Sequence, residues 1–121
     1  MAGRTKARVV LVTCGSLGEA RKIAQPLVSK GLAACVNIVS APVQSVYRWK
    51  GKVESANEIL LVVKTTGPRL KELEKEVAKL HSYEAPEFLV LGVEGGSKVY
   101  LRWVQESVSG SREKKKGKAR R

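Results

Sequence analysis

The chain contains few side chains that could hold a soft metal ion: one histidine, His81, and two cysteines, Cys14 and Cys35. Imidazole and thiolate are ligands that copper and zinc favour. Three such groups cannot close a four-ligand site in one chain, but a symmetric assembly could place His81 beside Cys14 of a neighbouring copy. One interpretation of the sequence is therefore a shared metal site, with His81 and Cys14 as candidate ligands and copper as the ion that such ligands favour. The alternative is that His81 ends a helix and bonds to local carbonyls.

A second polar cluster follows the histidine, in the segment Tyr83-Glu-Ala-Pro-Glu87. Glu84 and Glu87 could supply hard oxygen ligands or an acid/base pair, and the cluster could line a cleft between subunits. The alternative is that both glutamates face solvent or pair with Lys64 or Arg48.

Two tryptophans and one lysine extend this hypothesis. Trp49 and Trp103 would pack at an interface between subunits or, less simply, stack on a ligand. Lys64 could bind an anion at a subunit boundary or pair with Glu54 or Glu58. The predicted intersubunit cleft is accordingly lined by Trp49, Glu54, Lys64, Tyr83, Glu84 and Glu87.

Enzymatic and nucleic-acid functions are both disfavoured by composition. With one histidine and no aspartate, no nucleophile has a plausible base, so we predict no catalysis. The formal net charge is +12, but residues 111–121 alone hold seven basic residues and one acid. This tail has too little apolar surface to order itself, so we predict that it is disordered and binds polyanions only non-specifically. The chain has six aromatic residues and no aromatic-rich strand motif of RNA-binding sheets.

The remaining composition is that of one soluble domain. Hydrophobic residues make up 43% of the chain, and no apolar run approaches the ~18 residues that a membrane span needs. The first eight residues lack a cleavage signature, and the two cysteines match no disulfide framework. We predict a single domain over residues 1–110, a separate tail over residues 111–121, a cytoplasmic location and no membrane partner.

Hydrophobic periodicity divides the domain into alternating strands and helices. Helices are predicted by the stripe of Ala20, Ile23, Ala24, Leu27 and Val28, and by that of Leu70, Leu73, Val77 and Leu80. Pro42 predicts a bend or bulge in a long hairpin, and Pro26 a kinked or shortened first helix. Strands are predicted at residues 8–14, 32–39, 43–50, 58–66 and 87–93, with a last helix at residues 99–108.

This order is that of an α+β, ferredoxin-like β-α-β-β-α-β sandwich with an appended C-terminal helix. Two helices can cover only one face of its four-stranded sheet. Because the strands are apolar on both sides, the second face also needs a cover, and another copy of the chain is the simplest one. We therefore predict an oligomer.

Several segments of the sequence resemble the CutA family of divalent-cation-tolerance proteins over about residues 8–108. They are Gly31-Leu-Ala-Ala-Cys-Val-Asn-Ile-Val39, Tyr47-Arg-Trp-Lys-Gly-Lys-Val-Glu54, Lys64-Thr-Thr66, His81-Ser-Tyr-Glu-Ala-Pro-Glu87 and Tyr100-Leu-Arg-Trp103. The resemblance implies a homotrimer with P-II-like architecture, a part in tolerance of copper and other divalent cations, and no established reaction. A P-II-like signalling or scaffold trimer, binding a small anion or a partner protein in its clefts, is the alternative.

The sequence departs from the family pattern near the implied metal site. Family members usually carry an acidic stretch after the position of Cys14, where this chain has Gly15-Ser-Leu-Gly18. In some members, metal binding is attributed to two successive histidines. This chain has only the second of them, His81, because Leu80 occupies the first position. The cysteine that accompanies them in those members corresponds to Val12, two residues before Cys14.

Overall fold

The computed structural model describes residues 5–109, so the predicted tail at residues 111–121 lies outside the described residues. The elements follow the predicted order, with a 3-10 turn at Gly67–Arg69 before the second helix. They are β1 (Ala7–Cys14), α1 (Leu17–Ser29), β2 (Cys35–Trp49), β3 (Lys52–Thr66), α2 (Leu70–Leu80), β4 (Leu89–Gly92) and α3 (Lys98–Val108).

The four strands form one antiparallel sheet in the order β2-β3-β1-β4. This is the strand order of the split β-α-β arrangement, so the ferredoxin-like prediction is confirmed. The two central strands, β1 and β3, pair along the whole of β1, from Ala7 opposite Thr66 to Cys14 opposite Ile59.

The hydrophobic core lies between the sheet and the first two helices. Alternate residues of a strand point to opposite faces, and the helix-facing set on β1 and β3 is fully buried. The opposite face of these two strands, with Leu11 and Val62, is only partly buried. The core cluster consists of Val10, Val12, Cys14, Ala20, Ile23, Leu27, Leu32, Ala33, Ile59, Leu61, Val63, Leu73 and Val77.

Helix α1 begins where its capping residue predicts. The Ser16 hydroxyl accepts a hydrogen bond from the Glu19 amide, and the helix continues past Pro26 to Ser29. Gly31 then adopts a left-handed φ of 72°, which turns the chain so that the Leu32 and Ala33 amides bond to the Leu27 carbonyl. The predicted strand at residue 32 therefore starts only at Cys35.

The β2–β3 hairpin is longer than the rest of the sheet and bends at the expected place. Its register shifts between Val39 and Val43, on either side of Pro42, so the predicted bulge is confirmed. Beyond the shift the hairpin runs on to Trp49 opposite Lys52. This arm, residues 43–58, carries aromatic and apolar side chains that are exposed in the single chain, among them Val46, Tyr47, Trp49 and Val53.

The fourth strand is shorter than predicted, at four residues rather than seven. It pairs only with β1 and is an edge strand whose Leu89, Val90 and Leu91 are all exposed. Helix α3 packs through Val104 and Val108 against Ala34, with Tyr100 and Trp103 at the margin. None of the helices in residues 5–109 has the length and apolar character needed to cross a bilayer.

Replacing Leu61 by alanine should test the assigned core. Leu61 is fully buried on the central strand β3, so Leu61→Ala should lower the free energy of unfolding by about 2–5 kcal/mol. Val99→Ala, at a side chain 73% exposed on α3, should change it by no more than about 0.5 kcal/mol. Denaturant unfolding at one fixed protein concentration measures both. Similar small changes for the two variants would contradict the core assignment.

Candidate functional site

The segment after α2 crosses the end of β1 and is fixed there by His81. The His81 ring is fully buried, and its Nε2 lies 2.7 Å from the Thr13 carbonyl oxygen. Because a carbonyl only accepts, Nε2 must carry the proton. Nδ1 in turn accepts a hydrogen bond of 3.1 Å from the Tyr83 amide. Both ring nitrogens of His81 are therefore used within the fold.

Glu19 on the first turn of α1 holds the same segment from the other side. Its Oε2 accepts from the Ser82 amide at 2.8 Å and its Oε1 from the Gly15 amide at 3.3 Å. Burial by itself would raise the pKa of Glu19. The hydrogen bonds from Ser82 and Gly15 outweigh it and hold the pKa of Glu19 below its ordinary value.

These contacts orient Tyr83 towards Glu58, which immediately precedes the part of β3 that pairs with β1. The Tyr83 hydroxyl donates a hydrogen bond of 2.7 Å to Glu58 Oε2. Glu58 is only 8% exposed, so this bond satisfies a buried acceptor. Burial first, and then the bond to Glu58 and its charge, raises the pKa of Tyr83 well above the ordinary value for a phenol.

Glu87 is the second carboxylate of the site. Its Oε1 accepts a hydrogen bond of 3.4 Å from the Thr13 hydroxyl. Burial and the charge of Glu58 raise the pKa of Glu87, and they outweigh the opposing effect of the Thr13 bond. The buried carboxylate of Glu58 and the partly buried carboxylate of Glu87 thus lie near enough to repel each other.

These groups form one wall of an open cleft of about 720 Å³, and the β2 strand of the hairpin arm forms the other. Among residues 5–109 its ionisable lining residues are glutamates and tyrosines, with no lysine, arginine or histidine. The cleft is lined by Thr13, Ser45, Val46, Tyr47, Trp49, Glu58, Tyr83, Glu84, Ala85 and Glu87.

Four of the six residues predicted to line a cleft come together here: Trp49, Tyr83, Glu84 and Glu87. Glu54 and Lys64 lie outside the cleft of the single chain. Glu54 is exposed on the hairpin arm opposite Tyr47. Lys64 bonds to Asn37 Oδ1, and its Nζ is 3.9 Å from Cys35 Sγ.

The predicted metal ligands, His81 and Cys14, are both buried. Cys14 faces the helices, and its Sγ donates to the Ser16 carbonyl at 3.6 Å. Burial, and then the charge of Glu19, raises the pKa of the Cys14 thiol, which disfavours the thiolate that binds metals. Within residues 5–109, no three His, Cys, Asp or Glu side chains converge in a way that could hold a metal ion.

Sequence reasoning did not include Thr13, Tyr47 and Glu58 among the cleft residues. Thr13 is next to the last residue of β1, and Glu58 in β3 immediately precedes the apolar run of residues 59–63. A polar residue beside an apolar run is a signal that the sequence offers. Tyr47 precedes Trp49 by two positions on β2, so strand alternation directs both rings to one side. What the sequence did not reveal is that the segment after α2 folds over this end of the sheet.

Comparison with known proteins gives a consistent result. The family model for the CutA1 divalent ion tolerance protein matches residues 8–107. The divalent-cation tolerance protein CutA of Thermus thermophilus is 46% identical over 99 residues, which are 82% of this chain and 95% of that protein. Its counterpart in Archaeoglobus fulgidus is 41% identical over 99 residues, with the same two shares.

Solved structures agree with the fold. The structure of the periplasmic divalent cation tolerance protein CutA from A. fulgidus matches with a TM-score of 0.80 at 40% identity. That of the T. thermophilus protein matches with a TM-score of 0.82 at 44% identity. Each match covers 84% of this chain and 98% of the other.

Replacing Tyr83 by phenylalanine should test the Tyr83–Glu58 bond. The loss leaves a buried acceptor without its donor, so Tyr83→Phe should lower the free energy of unfolding by roughly 1–3 kcal/mol at neutral pH. Tyr47→Phe, on the exposed arm, is the matched control and should change it by about 0.5 kcal/mol or less.

The same variant tests the pKa of Tyr83. A raised pKa means that the bond stabilises the fold fully below the ordinary phenol pKa of ~10 and progressively less as the pH rises above it. Ultraviolet titration of the native protein should show a tyrosine that ionises above this range, and Tyr83→Phe should remove that component. Its persistence in the variant would contradict the assignment.

Proposed function

Because the chain belongs to the CutA1 divalent ion tolerance family, as its resemblance predicted, we propose that it binds divalent cations, copper foremost, as a homotrimer and without catalysing a reaction. The observation that carries the proposal is the acidic cleft: Glu58 and Glu87 lie on one wall with the oxygens of Thr13 and Tyr83 beside them, and the lining contributed by residues 5–109 has no basic side chain.

Oxygen ligands in this cleft are the better supported site for the cation. Glu58 is buried and Glu87 is partly buried, and a bound cation would relieve the repulsion between their carboxylates. A divalent first-row metal meets this need, and among such metals Cu²⁺ generally binds a given set of ligands most tightly. Two carboxylates do not complete a coordination sphere, so water or a neighbouring copy would supply the other ligands.

His81 and Cys14 remain the alternative ligands, as predicted from the sequence. For His81 to bind a metal, its ring must give up the bond to the Thr13 carbonyl or that from the Tyr83 amide. For Cys14 to bind, its thiol must lose a proton in a buried, negatively charged setting. Both changes cost free energy, whereas metal binding by the cleft carboxylates needs neither change.

Metal titration separates the two sites. In calorimetric titrations of the metal-free protein with Cu²⁺, Glu58→Gln and Glu87→Gln should each weaken binding by about tenfold or more, because each removes a charged ligand. Glu74→Gln, an exposed carboxylate on α2 outside the cleft, should leave the affinity unchanged. Cys14→Ser, which keeps a donor for the Ser16 carbonyl but removes the alternative thiolate ligand, should also leave it unchanged. A loss of Cu²⁺ binding in Cys14→Ser, with none in the two cleft variants, would overturn the cleft as the metal site.

Assembly into an oligomer is supported by the apolar surface that the single chain exposes, and the family resemblance is what suggests three copies. Leu91, 47% exposed, and Leu89 follow the partly buried Leu11 and Val62 across the second face of the sheet. The hairpin arm adds Val46 at 68% exposure. Contiguous apolar surface of this kind marks an interface, and closed rotational symmetry is the usual way for identical chains to bury it.

Solution mass tests the trimer directly. Sedimentation at micromolar concentration should give a mass three times that of the 13.2 kDa chain. Leu91→Lys introduces a charge on the edge strand β4 and should shift the population towards smaller species. Val99→Lys adds the same charge at an exposed site on α3 and should leave the mass unchanged. A native chain that sediments as a single subunit would contradict the assembly.

We also propose a cytoplasmic location, because the two cysteines are free thiols. Cys14 and Cys35 are both free thiols, on β1 and β2, which β3 separates in the sheet. Such thiols persist in a reducing compartment.

The alternative function, a P-II-like signalling trimer that binds a small anion, would favour a basic cleft lining, whereas this chain contributes carboxylates.

A further inference from the structure

The cleft has an aromatic wall that a metal ion would not need. Tyr47 and Trp49 lie two residues apart on β2 and line the cleft on the side of the hairpin arm. In the single chain their exposed fractions are 43% and 40%, large for side chains of this size. Aromatic side chains left exposed in a concave site are typical of a site for an organic ligand.

The charge of the cleft selects the sign of that ligand. Glu58, Glu84 and Glu87 line it, and Glu58 is more than nine-tenths buried. The hydrogen-bond partners of the two best buried carboxylates are hydroxyl groups, Tyr83 for Glu58 and Thr13 for Glu87, and neither partner carries a positive charge. A positively charged ligand would compensate these carboxylates, whereas an anion would be repelled.

The aromatic wall has the same preference. The faces of indole and phenol rings are electronegative and attract ammonium groups within about 6 Å of the ring centroid. Trp49 already has such a contact, because Nζ of Lys50 lies 5.7 Å from its ring centroid. Both walls of the cleft therefore favour an ammonium group, and its volume of about 720 Å³ is in the range for small-molecule sites.

From these observations we propose that the cleft binds an organic ammonium compound. Its N–H groups donate to the carboxylates of Glu58 and Glu87, and its hydrocarbon part packs against Tyr47 and Trp49. This ligand shares the carboxylates with the divalent cation proposed above but adds the aromatic wall. The two proposals therefore make different predictions for Trp49.

A matched pair of probes tests the inference on the metal-free full-length protein. The first probe is 1,4-diaminobutane, a dication at neutral pH, and the second is 1,4-butanediol, a neutral molecule of similar length. Calorimetric titration should detect binding of the diamine and none of the diol at the same concentrations. Equal binding of both probes, or of neither, would overturn the inference.

Variants then separate the amine from the metal. Trp49→Leu should weaken diamine binding by about fivefold or more and leave Cu²⁺ affinity unchanged. Trp49→Phe keeps an aromatic face and should therefore weaken diamine binding less than Trp49→Leu does. Glu58→Gln keeps an acceptor for Tyr83 and should weaken both ligands. Unchanged diamine affinity in Trp49→Leu would overturn this inference. If the native protein binds the diamine but does not bind Cu²⁺, only the metal proposal is overturned.

Discussion

The cleft depends on one buried contact, the hydrogen bond between His81 and the carbonyl of Thr13. Thr13 lies at the end of β1, and His81 is the residue that ends α2. The bond satisfies a buried carbonyl and fixes the direction in which the chain leaves the helix. Because the other ring nitrogen accepts from the Tyr83 amide, the same imidazole also orients the residue that reaches Glu58. The acidic wall of the cleft is therefore built on a histidine that is itself outside the cleft.

The second wall depends on a constraint of a different kind. A proline cannot donate in the ladder, and the register of the hairpin shifts around Pro42. The shift lets the arm continue as a paired ribbon beyond the sheet, with Tyr47 and Trp49 lining the cleft. The site thus joins two parts of the chain: a segment held down by side-chain hydrogen bonds and an arm held by backbone pairing. A charged ligand that bridges the walls would contact both.

Much of the fold could be predicted from the sequence because its signals are local. The helical stripes, the serine cap of α1 and the break at Pro42 each depend on residues a few positions apart, and the topology rules then leave few arrangements. The boundaries that differed have local reasons as well. Leu32 and Ala33 close the end of α1 instead of starting β2, and β4 keeps only the four residues that can pair with β1.

The site was predictable only in part because its contacts join distant segments. His81 and Thr13 are 68 positions apart, and Tyr83 and Glu58 are 25 apart. A lone histidine in a sequence suggests a metal ligand, and only the fold reveals that both of its nitrogens are engaged. Lys64 similarly has a plausible acidic partner in the sequence, but β2 places Asn37 and Cys35 beside it.

The tautomer of His81 tests the central contact most directly. Nitrogen-15 NMR of the metal-free protein at neutral pH gives an unambiguous signal, because the chain has a single histidine. We expect a neutral ring with the proton on Nε2, donated to Thr13, and an unprotonated Nδ1 that accepts from Tyr83. A ring protonated on Nδ1 alone, or one that exchanges rapidly between the two tautomers, would contradict the account of how this segment and its cleft are held.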